Sequence, residues 1–218
     1  MSSSFSKLSL MVVLMASFGL AQAGKPVGIT PDMMDATVKH GGEDVKIMRD
    51  QDNGAKVIPA FAKTSRPCPP FCIQPMQLAP GVETLGEREI IDYLSRMSQG
   101  DDSILVVDSR TPDWVEKGTI PGAVNIPWTA LNPAKGADPI SIAEIMEDQF
   151  NASSQEGLWD YSQAKTLVLF CNGMWCGQSP NNIKTLLKFG YPSHKIKWYR
   201  GGMQNWSNLG LTTVKPAT

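Results

Sequence analysis

The chain has 218 residues, a formal net charge of −1 and 42% hydrophobic residues. This length is sufficient for one domain with a full hydrophobic core. A net charge so close to zero gives no electrostatic basis for binding nucleic acid or an anionic membrane surface, so we expect neither partner.

The first 23 residues have the parts of a secretory signal peptide. Lys7 precedes an apolar run from Leu8 to Leu20, and Ala21-Gln22-Ala23 follows as an A-x-A cleavage site. The apolar run is too short to span a membrane comfortably. We therefore expect residues 1–23 to be removed, a mature chain without a membrane span, and a periplasmic or secreted location. A retained membrane anchor is the alternative.

Residues 24–80 are expected to form an N-terminal extension. Val45 to Arg49 and Ala55 to Ile58 both alternate apolar and polar residues, and Asp50 to Gly54 between them is rich in turn-forming residues. This pattern is typical of a β-hairpin.

Two cysteines, Cys68 and Cys72, lie in a proline-rich part of the extension that excludes a helix. Three interpretations are open: a local structural disulfide, a redox pair that exchanges with later cysteines, or a Cu(I) site helped by Met76. We favour the disulfide, because proteins are exported to compartments in which such cysteine pairs are oxidised. In addition, pairing with a local cysteine costs little loop-closure entropy. We predict no resident metal and no cofactor. His40 and His194, the only histidines, are expected to be solvated surface residues without a catalytic role.

Residues 81–215 alternate short apolar strands with amphipathic helices. Thr84 to Glu87 and Ser141 to Glu144 have the capping-box pattern, which predicts that a helix begins at each. The alternation of elements predicts an α/β fold, with a small parallel sheet and helices on both faces. In such sheets, ligands bind at the carboxyl ends of the strands. The predicted strands outside the central one are Ile104 to Val107, Ala123 to Ile126 and Ile196 to Tyr199.

The central strand of this region ends in a cysteine. Thr166 to Phe170 is an apolar run without charge, and Cys171 follows it directly. Ser179-Pro180 has the pattern of an N-cap followed by proline at the first helical position, which predicts a helix from there. The loop between them contains Gly173 and Gly177, which can turn amide N–H groups inward. Converging amides and a helix N-terminus lower the pKa of a thiol, so Cys171 is a candidate nucleophile. The alternative is an inert cysteine that ends a core strand.

Several motifs in this order resemble the rhodanese-like domain, over roughly Gly81 to Lys215. Val106-Val-Asp-Ser-Arg110 is similar to the family's strand that ends in Asp-x-Arg. Gly118 to Pro127 is similar to its Gly-His-Ile-Pro-Gly-Ala-x-Asn-Ile-Pro segment, with Thr119 where His is usual. The Phe170-Cys171 strand end, Gly190-Tyr191, and Gly201-Gly202 with Trp206 complete the match.

The resemblance implies a sulfurtransferase in which Cys171 carries sulfur as a persulfide. It implies as partners a small sulfur donor and a thiol acceptor. The residues that it places around the substrate are Asn172, Gly173, Met174, Trp175, Gly177, Gln178 and Ser179. Arg200 is added as a substrate-binding candidate because its turn lies at the carboxyl end of the last predicted strand.

The Cys171 loop departs from the family pattern in two ways. It is longer than usual and has no Arg or Lys, which weakens the case for the dianion thiosulfate and for phosphatase activity. It also contains Cys176, and this Cys-x-x-x-x-Cys arrangement resembles exported rhodanese variants found alongside quinone-dependent oxidation pathways. Cys176 could resolve the persulfide, leaving a disulfide for a periplasmic redox protein to reduce. Two alternatives are a permanent Cys171–Cys176 disulfide and a thiol-disulfide or persulfide-sensing binding module without net sulfur transfer.

Overall fold

The structure is a computed structural model that describes residues 25–216, so the predicted signal peptide lies outside the described residues. In chain order the elements are β1 (Asp35–His40), β2 (Glu43–Met48), α1 (Pro59–Ala62), β3 (Glu83–Leu85), α2 (Glu87–Ser98), β4 (Ile104–Asp108), α3 (Pro112–Val115), β5 (Val124–Asn125), α4 (Pro139–Asp148), β6 (Ser153–Gln155), β7 (Leu158–Asp160), β8 (Thr166–Phe170), α5 (Gln178–Lys188), β9 (Ile196–Tyr199) and α6 (Gly202–Asn208). Short 3₁₀ turns occur at Trp128–Leu131, Pro133–Lys135 and Ser193–Lys195.

The main sheet confirms the predicted α/β class. It has five parallel strands in the order β3-β9-β8-β4-β5. β8 begins and ends at the predicted residues and lies between β4 and β9. The carboxyl end of β8 is therefore flanked by other strand ends, where a parallel sheet binds ligands.

The two faces of the sheet are covered by different helices. Leu167 and Leu169 of β8 point to the side where α4 and α5 pack. Val168 and Phe170 alternate with them and pack in a second cluster with residues of α2 and α6. This period-two burial on both faces is why the strand is apolar at every position.

The N-terminal hairpin exists, but its strands differ from the predicted ones. β1 pairs with β2 through a turn at Gly41-Gly42, where both residues have positive φ (58° and 86°). Two glycines suit the mirror-image turns that join hairpin strands. The predicted second strand, Ala55 to Ile58, is not a strand. The Asp52 carboxylate accepts the Gly54 amide, so this turn closes on itself and leads into α1.

Three predicted helix caps were wrong by a few residues. Thr84 lies in β3, and the backbone N–H of Gly86 donates to the Glu89 carboxylate at the start of α2. At α4 the side chain of Asp138, rather than Ser141, accepts the first free amides. Ser179 lies inside α5, which frees its hydroxyl for a different partner. A carboxylate placed before Pro139 competes better for amides than a serine three residues later.

The extension packs into the same core as the sheet. Val38, Ile47 and Phe61 belong to the cluster that contains Ile90 and Leu94 of α2. His40 was expected to be a solvated surface residue, but the structure corrects this. Its ring links two backbone groups, since Nδ1 accepts from the Gly122 amide and Nε2 lies 2.7 Å from the Lys215 carbonyl.

Candidate active site

Cys171 lies at the carboxyl end of β8 and its side chain is 2% exposed. Its carbonyl accepts the Met203 amide at 3.0 Å, so the first turn of α6 rests against the backbone of the cysteine. Gly202 makes this approach possible, because a Cβ there would be 2.2 Å from the Cys171 carbonyl oxygen. The Gly201-Gly202 pair therefore places α6 against the strand end.

The Cys171 sulfur accepts a hydrogen bond from a buried serine. Ser179 Oγ lies 3.1 Å from Cys171 Sγ, and the indole Nε1 of Trp198 donates to Ser179 Oγ at 3.2 Å. The indole occupies an acceptor position of the hydroxyl, so the hydroxyl proton is directed at the sulfur. A donor held in this way favours the thiolate.

The two loop cysteines have opposite pKa shifts. Burial by itself would raise the pKa of Cys171, but hydrogen bonds from the Cys176 thiol, from the Ser179 hydroxyl and amide, and from the Gly173 amide lower it to about 7. Burial, together with the neighbouring Cys171 thiolate, raises the pKa of Cys176 well above its usual range. Cys176 thus keeps its proton, and the acceptor within reach of its thiol is Gln178 Oε1 at 3.7 Å. Near neutral pH Cys171 is therefore the more readily ionised of the two thiols, and Cys176 stays protonated.

The loop is only partly the amide cradle that the sequence predicted. The amides of Gly173 and Ser179 serve Cys171, but the Cys176 carbonyl also faces the Cys171 sulfur at 3.5 Å. The Cys176 amide is used inside the loop, where it donates to the Gly173 carbonyl. Side-chain hydrogen-bond donors therefore contribute more to the stabilisation of the Cys171 thiolate than the sequence led us to expect.

The other predicted substrate-binding residues divide between two sides of the loop. Asn172, Trp175, Gly177 and Gln178 line a cavity beside Cys176. Met174 faces away from it: its carbonyl accepts the Gln74 amide, and its side chain lines a separate surface depression.

Arg200 does not serve the thiols, which corrects the sequence-based assignment. Its guanidinium donates to the carbonyls of Gln74 (2.8 Å from one terminal nitrogen) and Pro75 (3.1 Å from Nε). These bonds fix the extension beside the end of β9. Arg200 thus holds the segment that covers the site.

We call the cavity beside Cys176 the aromatic cavity. It has a volume of about 400 Å³. Its lining is mostly apolar, and Cys176 is the cysteine that it reaches. The residues that line it are Arg66, Pro70, Phe71, Trp114, Trp128, Asn172, Trp175, Cys176, Gly177, Gln178 and Asn181.

Sequence reasoning missed the residues that the aromatic cavity takes from outside the loop. Trp114 and Trp128 follow the carboxyl ends of β4 and β5, so the rule that ligands bind at strand ends could have indicated them. Arg66 and Phe71 come from the extension, more than 90 residues earlier in the sequence than the loop, and carry no local signal.

A buried ion pair holds the wall of the cavity in place. Arg110 and Asp108 are 0% and 1% exposed, and the guanidinium binds both carboxylate oxygens. Arg110 also donates to the carbonyls of Trp114 and Gly118, and the Thr119 hydroxyl donates to Asp108 at 2.7 Å. The Asp-x-Arg motif therefore anchors the turn that carries Trp114.

The structure joins Cys68 to Cys72 in a disulfide with a Cα–Cα distance of 4.7 Å. Cys171 and Cys176 are both free thiols. Within residues 25–216, no group of three or more His, Cys, Asp or Glu side chains could hold a metal ion. Over the same residues, no helix has the length and apolarity needed to cross a membrane.

Comparison with known proteins assigns the family. The sequence model of the Rhodanese-like domain matches residues 91–209, more than half of the chain. The protein belongs to the rhodanese-like domain family. A comparison with curated proteins finds no match.

Three solved structures from different organisms illustrate the similarity in fold. The BH2092 protein of Bacillus halodurans is 18% identical, with 63% of this chain and 79% of that chain covered and a TM-score of 0.42. Thiosulfate sulfurtransferase from Pseudomonas aeruginosa is 18% identical, with coverages of 62% and 20% and a TM-score of 0.40. The human single-domain sulfurtransferase TSTD1 is 22% identical, with coverages of 59% and 96% and a TM-score of 0.36.

Proposed function

We propose that this protein is an exported sulfurtransferase that carries sulfur as a persulfide on Cys171. The observation that carries the proposal is the Cys171 thiol itself, which lies at a strand end, accepts hydrogen bonds from Ser179 and Cys176, and has a pKa lowered to about 7. Export is supported by the N-terminal sequence pattern.

Sulfur loading follows from this arrangement. The Cys171 thiolate attacks the outer sulfur of a donor R–S–SH, a new Sγ–S bond forms, and the donor S–S bond breaks. The donor leaves as the thiolate R–S⁻ with the electron pair of the broken bond, and Cys171 holds the persulfide. The hydrogen-bond donors that stabilised the thiolate, Ser179 Oγ and the Gly173 amide, remain next to the persulfide.

Two routes discharge the persulfide. An acceptor thiolate can attack the outer sulfur, take it as its own persulfide and release Cys171 as thiolate. Alternatively, Cys176 attacks the Cys171 sulfur and a Cys171–Cys176 disulfide forms. The bond between Cys171 and the outer sulfur breaks, and that sulfur leaves as H₂S with its own proton and the proton of Cys176. A periplasmic redox protein would then reduce this disulfide.

Intact mass spectrometry tests the proposal. Reduced wild-type protein incubated with inorganic polysulfide should gain one sulfur atom, and Cys171→Ser should gain none. Cys176→Ser keeps a hydroxyl donor beside Cys171, so it should load and hold the sulfur longer. Equal addition to wild type and Cys171→Ser would contradict the proposal.

A second function, a thiol-disulfide or persulfide-sensing module without net sulfur transfer, is supported by two free cysteines in one loop, with the Cys171 sulfur 3.5 Å from the Cys176 carbonyl. It requires that the Cys171–Cys176 disulfide be reduced in the range of known exchange proteins, about −120 to −270 mV. Redox titration separates it from a permanent bridge. Sulfur transfer to an added thiol in the same preparation separates it from the first function.

A further inference from the structure

The aromatic cavity is much larger than an inorganic sulfur donor needs. Its volume of about 400 Å³ lies within the range of about 300–1,000 Å³ typical of pockets for small organic molecules. Three tryptophans and a phenylalanine are among the residues that line it. A small hydrophilic dianion such as thiosulfate would leave these rings in contact with water, whereas a flat apolar body would cover them.

Arg66 brings a positive charge to this apolar wall. Its guanidinium carbon lies 3.9 Å from the ring centroid of Trp175 and 5.9 Å from that of Phe71. The Nε–H of Arg66 is buried and has no hydrogen-bond partner among residues 25–216. A guanidinium that lies over an indole ring and keeps an unpaired Nε–H is well placed to receive a carboxylate.

Other unpaired polar atoms gather around the same cavity. Across the described part of the chain, six buried side-chain nitrogen or oxygen atoms lack a partner, and four of them belong to residues that line it. Three of the four are N–H donors, on Arg66, Trp128 and Asn181. Each buried donor left unpaired costs about 1–3 kcal/mol, so acceptor atoms that a ligand places in the cavity would stabilise these residues.

We propose that the aromatic cavity binds the organic part of the sulfur donor, and that this donor is a persulfide with a flat apolar or aromatic body and a carboxylate. The proposal rests on the sulfurtransferase function and specifies its substrate class. The carboxylate pairs with Arg66, and the body packs among Phe71, Trp114, Trp128 and Trp175. The donor's terminal sulfur reaches the thiol pair from the Cys176 side.

The atoms balance as in the general reaction. The carboxylate-bearing donor R–S–SH gives its outer sulfur to Cys171, the S–S bond breaks, and R–S⁻ remains in the cavity with the bonding electrons. Arg66 takes no part in bond making. It is a substrate-binding residue that selects the donor by charge.

Matched donors test the charge selection. The persulfide of mercaptobenzoate and that of its methyl ester share a ring but differ in the carboxylate. Wild type should load Cys171 faster from the carboxylate donor than from the ester. Arg66→Gln should lower the ratio of the carboxylate rate to the ester rate about tenfold, the loss expected for a charge-assisted hydrogen bond. Arg88→Gln, which removes the same charge from an exposed position on α2, should leave the ratio unchanged.

A non-reactive ligand tests the cavity without sulfur chemistry. Calorimetry should show that naphthoate binds wild type more tightly than naphthamide does, and that Phe71→Ala and Arg66→Gln both weaken naphthoate. The proposal is overturned if wild type binds the two ligands equally or binds neither. It is also overturned if Arg66→Gln shows the same ratio of carboxylate to ester loading rates as wild type. If neither the persulfides nor polysulfide loads Cys171, the sulfurtransferase function fails instead, and calorimetry still decides whether the cavity binds aromatic carboxylates.

Discussion

The hydroxyl of Ser179 lies 3.1 Å from the sulfur of Cys171. It is oriented by Trp198, which donates to the same oxygen. We expect Ser179→Ala to raise the pKa of Cys171 by about one unit, because a hydrogen bond to a charged group contributes about 1.5–3 kcal/mol. The pH dependence of Cys171 alkylation by iodoacetamide, read by peptide mass spectrometry, measures this pKa.

A second buried serine provides the control for this experiment. Ser109 is fully buried, and its hydroxyl has no partner within the described residues. Ser109→Ala should give the same pH dependence of Cys171 alkylation as wild type. If Ser179→Ala also gives the wild-type pH dependence, the Ser179 hydroxyl does not stabilise the Cys171 thiolate.

The reduced protein should become more stable as pH rises from about 7 to about 9. The pKa of Cys171 is about 7 in the folded chain and 9.0 for an unperturbed thiol. Between these values the unfolded state holds a proton that the folded state has released, so the free energy of unfolding rises, by up to about 3 kcal/mol. This stabilisation is lost again as pH falls through 7.

Urea unfolding of wild type and Cys171→Ser, both under reducing conditions, checks this prediction. The stability difference between the two proteins should shift in favour of wild type over this pH interval. A difference that stays constant or falls would mean that the pKa of Cys171 is not lowered by folding.

Reduction of a Cys171–Cys176 disulfide should begin at Cys176. The aromatic cavity reaches Cys176, and Cys171 has the lower pKa and is the better leaving group. A small thiol should therefore form a mixed disulfide with Cys176 and release Cys171. Rapid quenching with iodoacetamide and peptide mapping should find the alkyl group on Cys171, and the reverse labelling would contradict the assignment.

Removing one partner of the buried ion pair should be costly. Arg110→Met leaves Asp108 buried without its counter-ion, which we expect to lower the free energy of unfolding by about 3–5 kcal/mol. Arg96→Met removes an exposed pair with Asp101 and should cost about 0–1 kcal/mol. Urea unfolding compares the two variants. Similar losses would show that the Asp108–Arg110 pair contributes no more than a surface pair.

The Cys68–Cys72 disulfide should contribute modestly to stability. It closes a loop with a sequence separation of 4, for which the chain-entropy relation gives about 2 kcal/mol. The Cys68→Ser, Cys72→Ser double variant should therefore unfold at slightly lower urea concentration and still accept sulfur on Cys171 from polysulfide. Non-reducing peptide mapping checks the pairing, and a cross-link to Cys171 or Cys176 would make the N-terminal pair a redox partner of the loop.

The sheet could be predicted from sequence because its signals are local. The apolar run from Thr166 to Phe170 and the cysteine after it are consecutive residues, so the bounds of β8 and the position of Cys171 needed no tertiary information. The helix caps were less accurate, because several Ser, Thr and Asp residues compete for each helix start, and the positions of nearby strands decide between them.

The cavity could not be predicted, because it depends on contacts between distant segments. Arg66 lies over Trp175, and Arg200 helps to hold the same segment through the carbonyls of Gln74 and Pro75. Backbone carbonyls have no sequence signature. The same limit explains the assignment of Arg200 to the substrate. An arginine at a strand end resembles an anion-binding group until its partners are known.

The close contact at Gly202 fixes the start of the Cys171 loop. The carbonyls of Cys171 and Asn172 are bound to the amides of Met203 and Gln204, and Gly202 has no space for even a methyl group. At the other end of the loop, Gly177 is exposed, and a Cβ there would meet nothing within 4 Å. The two ends of the loop therefore differ in the substitutions that they tolerate. A side chain at Gly202 would displace the backbone of the reactive cysteine, whereas a side chain at Gly177 would point into open space at the start of α5.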